Sequence, residues 1–188
     1  MKENPAEVKI VQRIPFPWAV SIVCVIALPL ALFLGKFNFP VWVSFIVWAE
    51  YFTLGGTAKT SRLIFPSLPF GAIFAALWVA TAVFYMTVAA HQLNLFIGLV
   101  IGALIWVTIL MYAIPKSRIF TQGSLAVFNG ISIFLGVYFT KSFPAVGPMG
   151  NPYWPILWAF IWAMLMAYLG WIFGWLNVAL TFPKQVNA

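Results

Sequence analysis

Apolar residues run in six long blocks along the chain, at roughly Pro17–Gly35, Pro40–Leu54, Pro66–Ala90, Leu93–Ile114, Ile119–Thr140 and Tyr153–Phe182. The blocks are continuous rather than alternating, so they predict helices and not the strands of a barrel. Most reach the roughly 20 residues that cross about 30 Å of hydrocarbon as helix. The pattern predicts an all-α, polytopic membrane protein with six transmembrane helices. Its single membrane domain spans residues 17–182, between a head of residues 1–16 and a tail of residues 183–188.

Composition agrees with the pattern. Of 188 residues, 64% are hydrophobic and only 7% are charged, and the mean hydropathy is +1.01. A soluble domain carries about a quarter charged residues, so six apolar blocks would leave a soluble fold without a polar coat. The first block follows a charged, proline-containing head and lacks a small-residue cleavage site, which reads as a first span and not a removable signal.

The basic residues orient the spans. If six spans alternate, Lys2, Lys9, Arg13, Lys59, Arg62, Lys116, Arg118 and Lys184 share one side, and only Lys36 and Lys141 fall on the other. The side rich in Lys and Arg is expected to be cytoplasmic, with both termini there. The net charge of +7 is spread over short loops, so it reads as an orientation signal with an anionic-lipid contact and not as nucleic-acid binding. Cys24 stands alone, which excludes a disulfide framework or a CxxC motif.

One string recurs. Tyr51-Phe52-Thr53 returns as Tyr138-Phe139-Thr140, and each copy is followed by a Pro-x-x-Pro spacing, Pro66/Pro69 and Pro152/Pro155. With three spans per unit, residues 17–92 and 93–182, the second unit enters the membrane from the opposite face. That predicts a 3+3 inverted repeat, with any solute path at the repeat interface. The prolines are expected to open spans 3 and 6, since proline suits the first turn of a helix. The preceding stretches, Leu54–Phe65 and Lys141–Asn151, read either as plain loops or as segments that dip into the membrane.

Polar residues inside the blocks are the candidates for chemistry. Glu50 is the one acid within a span, and intramembrane acids mark functional sites by default. With Thr53 and Thr57 it follows the i, i+3, i+7 spacing of one helix face. Beside it stand Tyr51 and, in the second copy, Tyr138. Glu50 either binds a proton, cation or hydrogen-bonding solute, or pairs with Lys59, Arg62 or a backbone N–H and pins the loop. Asn129 and Ser132 share a face in span 5, with Gly136 a turn further, and either line a path or bond between helices. His91 and Lys141, near the outer ends of spans 3 and 5, read as solvated loop residues or as residues of a mouth, as do Lys59 and Arg62 at the inner face.

Gly98-x-x-x-Gly102 and Gly170-x-x-x-Gly174 let helix backbones approach closely, within the chain or between subunits. Trp158/Trp162 and Trp171/Trp175 form aromatic stripes, while Trp18, Trp42 and Trp154 suit interfacial belts. Gly55-Gly56 followed by Lys59-Thr60 lacks the spacing and preceding strand of a phosphate loop.

Trp48-Ala49-Glu50-Tyr51-Phe52, Gly55-Gly56, Pro66-Ser67-Leu68 and Gly71 together resemble the YcdZ-type family of bacterial inner-membrane proteins. The resemblance covers most of the hydrophobic part. It implies a small multi-pass protein of the bacterial inner membrane and supplies no activity and no site residue.

The function expected from these features is a channel or secondary transporter for a small solute, embedded in the lipid bilayer as a homo-oligomer. The alternative is a non-catalytic accessory subunit packed against other membrane subunits. One His, one Cys and one membrane acid make no catalytic constellation, so no enzyme activity, metal or cofactor is expected, and no nucleotide motif suggests direct ATP drive.

Overall fold

The computed structural model describes residues 12–88, 93–144, 146–147 and 150–182, and among them every regular element is helical. Helix α1 (Phe16–Gly35) opens on Pro15-Phe16-Pro17, where a proline costs no helix bond. Helix α2 (Trp42–Thr53) is short, and α3 (Ala58–Val88) is the longest at 31 residues. Helix α4 (Leu93–Gly102) continues through a π-helical turn (Ala103–Val107) into α5 (Thr108–Ala113) and a 3-10 turn (Ile114–Lys116). Then come α6 (Arg118–Gln122), α7 (Ser124–Phe139) and α8 (Trp154–Thr181).

Four helical segments are long and apolar enough to cross a membrane: Phe16–Gly35, Ala58–Val88, Leu95–Lys116 and Trp154–Thr181. The other two apolar blocks fold differently from the expected full spans. Pro40–Leu54 yields the 12 residues of α2, about 18 Å at 1.5 Å per residue. Ile119–Thr140 is broken at Gly123 into α6 and the 16 residues of α7. At that break the Gly123 backbone lies against the Ser67 side chain, leaving no room for a Cβ.

The start of the third long helix departs from the proline reading. Pro66 and Pro69 lie inside α3, eight and eleven residues beyond Ala58. Thr57 and Thr60 begin the helix instead. The Thr57 N–H donates to Thr60 Oγ1 at 3.2 Å, the Thr60 N–H donates to Thr57 Oγ1 at 3.4 Å, and Thr60 Oγ1 donates to the Leu54 carbonyl at 2.8 Å. These reciprocal bonds satisfy donors that a helix start leaves free. Pro69 removes the N–H that would bond the Phe65 carbonyl, and the Tyr168 hydroxyl donates to that carbonyl at 3.2 Å. Only residues 54–57 separate α2 from α3, and Ala58–Phe65 belong to the continuous helix α3. The described part of Lys141–Asn151 is non-helical. Pro155, by contrast, does sit in the first turn of its helix, α8.

Close approach through glycine sets the packing. Gly71 of α3 lies on the Val127 carbonyl of α7, and Gly130 of α7 lies on the Leu68 carbonyl of α3. Gly170 of α8 lies on the Ser44 carbonyl of α2, and Gly174 lies on the Tyr51 ring. Both pairs run in the same direction, since Ser67 and Gly71 face Gly123 and Val127, and Ser44 and Tyr51 face Gly170 and Gly174. Gly98 and Gly102 of α4 press on Ala82 and Trp78 of α3. Both Gly-x-x-x-Gly patterns therefore make contacts inside the chain. On the other flank α1 packs on α8, where Val23, Ala27, Trp48 and Phe173 form a small core. The pairing is reciprocal: α3 with α7 and α8 with α2 at the centre, α4 on α3 and α1 on α8 outside.

Helices α2 and α7 end in the same hydrogen-bond motif. After α2 the N–H of Gly55 donates to the Phe52 carbonyl and that of Gly56 to the Tyr51 carbonyl, both at 2.8 Å. After α7 the N–H of Lys141 donates to Tyr138 at 3.2 Å and that of Ser142 to Val137 at 3.1 Å. Each is a Schellman cap, with a left-handed residue at Gly55 (φ 101°) and at Lys141 (φ 52°). The caps equate Tyr51 with Val137 and Phe52 with Tyr138, so the recurring Tyr-Phe-Thr strings stand one residue out of structural register. The counterpart of Glu50 is then Gly136, not Val137. Gly136 is pressed against the Trp42 ring.

Candidate functional site

Glu50 lies at the centre of the bundle. Val43, Val47 and Glu50 form one buried stripe of α2, and Glu50 is 2% exposed. The Asn129 amide of α7 donates to Glu50 Oε2 at 2.7 Å. Glu50 Oε1 is also buried and has no hydrogen-bond partner among the described residues. Asn129 precedes Gly130, whose missing Cβ lets α7 close on α3.

Among the described residues, the expected pairing of Glu50 with Lys59, Arg62 or a backbone N–H does not form. Lys59 and Arg62 are exposed on the first turns of α3, and the Glu50 partner is Asn129. A short helix explains the difference, because α2 ends at Thr53 and the chain reverses before either cation.

The expected polar face of Glu50, Thr53 and Thr57 does not form. Thr53 is exposed and donates to the Ala49 carbonyl at 3.0 Å. Thr57 lies beyond the end of α2 and caps α3. Asn129 and Ser132 also part company, for Asn129 turns to Glu50 while Ser132 is exposed. Tyr51 is buried at 2% exposure, and Gly174 and Gly56 leave room for its ring. Tyr138 is half-buried and stacks on Phe134 at 6.1 Å between centroids. Lys141 is exposed, and its carbonyl accepts from the Asn38 amide at 2.8 Å. That amide also donates to the Phe143 carbonyl at 2.9 Å, so the Lys141 backbone is part of a clasp between two loops. His91 lies outside the described residues.

Some groups of the interior were not singled out from sequence. Ser67 is fully buried, and its Oγ has no partner among the described residues. Asn177 is fully buried on α8 and donates to Thr181 Oγ1 at 3.4 Å, while its Oδ1 has no partner among the described residues. The signal for both is a small polar residue in an apolar block, which many surface positions share. Trp154, Trp158 and Trp162 stack in a row, with centroids 6.2 and 6.1 Å apart. Among the described residues, no group of three His, Cys, Asp or Glu side chains could hold a metal ion.

The arrangement offers one chemical possibility at its centre. An acceptor oxygen, shielded from lipid, faces no donor of the described protein beside a fixed amide. Comparison with known proteins adds a family and no chemistry: no curated protein and no solved structure matches the chain. A family described as "Protein of unknown function (DUF1097)" matches residues 19–182, nearly the whole helical part, and the chain belongs to that family.

Proposed function

We propose that the protein is a channel or secondary transporter for a small solute, working as a homo-oligomer; the bacterial inner membrane is the location that its YcdZ-type resemblance implies. The observation that carries this reading is Glu50 Oε1, a buried acceptor without a partner among the described residues, beside the Asn129 amide. Buried polar groups are normally satisfied, so an orphan acceptor at the bundle centre suits a proton, a cation or the N–H or O–H of a solute. Glu50, Tyr51 and Asn129 would form the site, and nothing about it calls for catalysis or a cofactor.

The reciprocal helix pairing and the matching Schellman caps support a 3+3 inverted repeat, with cytoplasmic termini by the positive-inside reading. In that plan α2 and α7 are the short central elements of each unit, and Glu50 and Asn129 link them across the interface. Six membrane segments result, two of them shorter than a full span.

Uptake into proteoliposomes tests the proposal. Wild-type protein should move a member of a panel of small solutes and ions, and Glu50→Gln should lower or abolish the flux while the protein stays folded. Absence of flux across the panel would overturn it. The accessory-subunit reading draws on the outer flanks, where Trp18, Leu32, Phe96, Leu104 and Tyr112 are all at least 67% exposed. Lipid or foreign subunits would cover them equally well. Purification in mild detergent separates the readings: a stoichiometric foreign partner favours the subunit, a homo-oligomer the transporter.

A further inference from the structure

A cleft of about 340 Å³ opens between the first turn of α3 and the last turns of α8, with Tyr51 at its edge. Its volume is at the lower end of the range of about 300–1,000 Å³ that small-molecule sites occupy. Trp171, Trp175, Val178 and Phe182 line one wall, and Ala58 and Ser61 the other. Trp171 is held in place, since its Nε1 donates to Ser61 Oγ at 2.8 Å and its ring meets Phe65 edge-on at 4.9 Å. Trp175 and Phe182 are 52% and 42% exposed, so the cleft opens to the surroundings along aromatic edges. Exposed indoles at the end of an apolar helix suit the boundary between hydrocarbon and headgroups.

The charged residues described next to the cleft are basic. Ala58 and Ser61 form the α3 wall, and Arg62, which follows Ser61 and lies one turn after Ala58, borders it. Arg62 is exposed, as is Lys59 one turn before it. On the opposite wall the backbone N–H of Arg13 donates to the Thr181 carbonyl at 2.9 Å, which sets exposed Arg13 beside Phe182. Among the described residues, the lining itself carries no charge of either sign. Basic clefts between membrane helices bind the head groups of anionic lipids, and long Arg side chains reach from apolar surface toward the interface.

We propose that this cleft is a specific site for an anionic glycerophospholipid. The phosphate lies between Arg62 and Arg13, and the glycerol and upper acyl chain lie against Trp171, Trp175 and Phe182. The proposal does not rest on the transport reading, although Tyr51 borders both sites.

Thermal unfolding of the full chain in a neutral detergent tests it. Added phosphatidylglycerol should raise the midpoint of the wild type by about 2–4 °C over added phosphatidylcholine, saturating with dose. Inorganic phosphate at the same concentration should not reproduce the rise. The Arg13→Gln/Arg62→Gln variant should lose the difference between the two lipids while keeping the wild-type midpoint in phosphatidylcholine. Trp175→Leu should shift the saturation to higher lipid concentration. Equal effects of the two lipids on the wild type, or a phosphatidylglycerol response retained by the double variant, would overturn the site. An equal response to inorganic phosphate would overturn the lipid as its occupant. A double variant with a lowered midpoint in phosphatidylcholine is compared by native mass spectrometry, where wild type should retain phosphatidylglycerol and Arg62→Gln should not. Equal retention would overturn the proposal.

Discussion

The Asn129 amide donates to Glu50 Oε2 at 2.7 Å and joins residues that are 79 positions apart in the chain. The bond ties α2 to α7, each too short to cross a bilayer fully as a single helix. It takes up one carboxyl oxygen and leaves the other without a partner among the described residues.

Removing either partner should reveal their coupling. Interhelical hydrogen bonds in membranes average well under the limit of about 2 kcal/mol. A double-mutant cycle of Glu50→Ala and Asn129→Ala, read by thermal unfolding in detergent, should give a coupling of about 0.5–2 kcal/mol. Asn129→Ala alone should cost more than Glu50→Gln alone, because it strands a second carboxyl oxygen, whereas a glutamine can still accept from Asn129. Additive effects of the two changes would contradict the pairing.

The central crossings should tolerate no methyl group. In Gly71→Ala, Gly130→Ala and Gly170→Ala the new Cβ meets the backbone carbonyls of Val127, Leu68 and Ser44, and a carbonyl locked in a helix cannot swing aside. Each should destabilise by about 1–3 kcal/mol or more. Gly35→Ala, with nothing within 4 Å of the added atom, is the control. Its midpoint should stay close to wild type, while the three crossing variants melt earlier or aggregate on solubilisation.

The threonine cap makes a separate prediction. Thr60→Ala removes the acceptor for the Thr57 N–H and the donor to Leu54 in one step. It should cost about 0.5–2 kcal/mol and speed tryptic cleavage after Lys59 and Arg62. Thr60→Ser keeps the hydroxyl and should restore most of the protection. Unchanged cleavage in Thr60→Ala would show that the cap does not hold the start of α3.

Hydrogen exchange tests where α3 begins. The amides of Arg62 to Phe65 fall within α3 and bond back one turn in a regular helix, so they should exchange slowly, like those of Leu77 to Ala80. A helix that started at Pro66 would leave them to exchange at the rate of unprotected amides.

Residues 54–69 show where sequence reading was limited. Pro66 and Pro69 are strong local signals for a helix start. They were outweighed by three threonine hydrogen bonds and by the Tyr168 hydroxyl, which satisfies the Phe65 carbonyl from 103 residues away. Thr57 and Thr60 were visible in the chain, but two threonines three apart are common and only their reciprocal bonds identify a cap. The glycine pairs fared better: small residues at four-residue spacing did mark close approach, though not the helix that approaches. Glu50 was also legible, since a lone acid in an apolar block has few neutral explanations. Its partner was not, because Lys59 and Arg62 are closer in sequence and opposite in charge.

The sequence by itself determined the class of the protein. Continuous apolar runs with so few charges satisfy their backbone only as helices and their side chains only in lipid or against one another. The tertiary structure decided the rest: which blocks form helices long enough to span, that the two capped turns align one residue away from the repeated Tyr-Phe-Thr, and that Glu50 faces Asn129 and not a cation. The physical reason is range. Hydropathy and composition act residue by residue along the chain. Helix ends, glycine crossings and the partner of a buried carboxyl depend on atoms that only folding brings within hydrogen-bond distance.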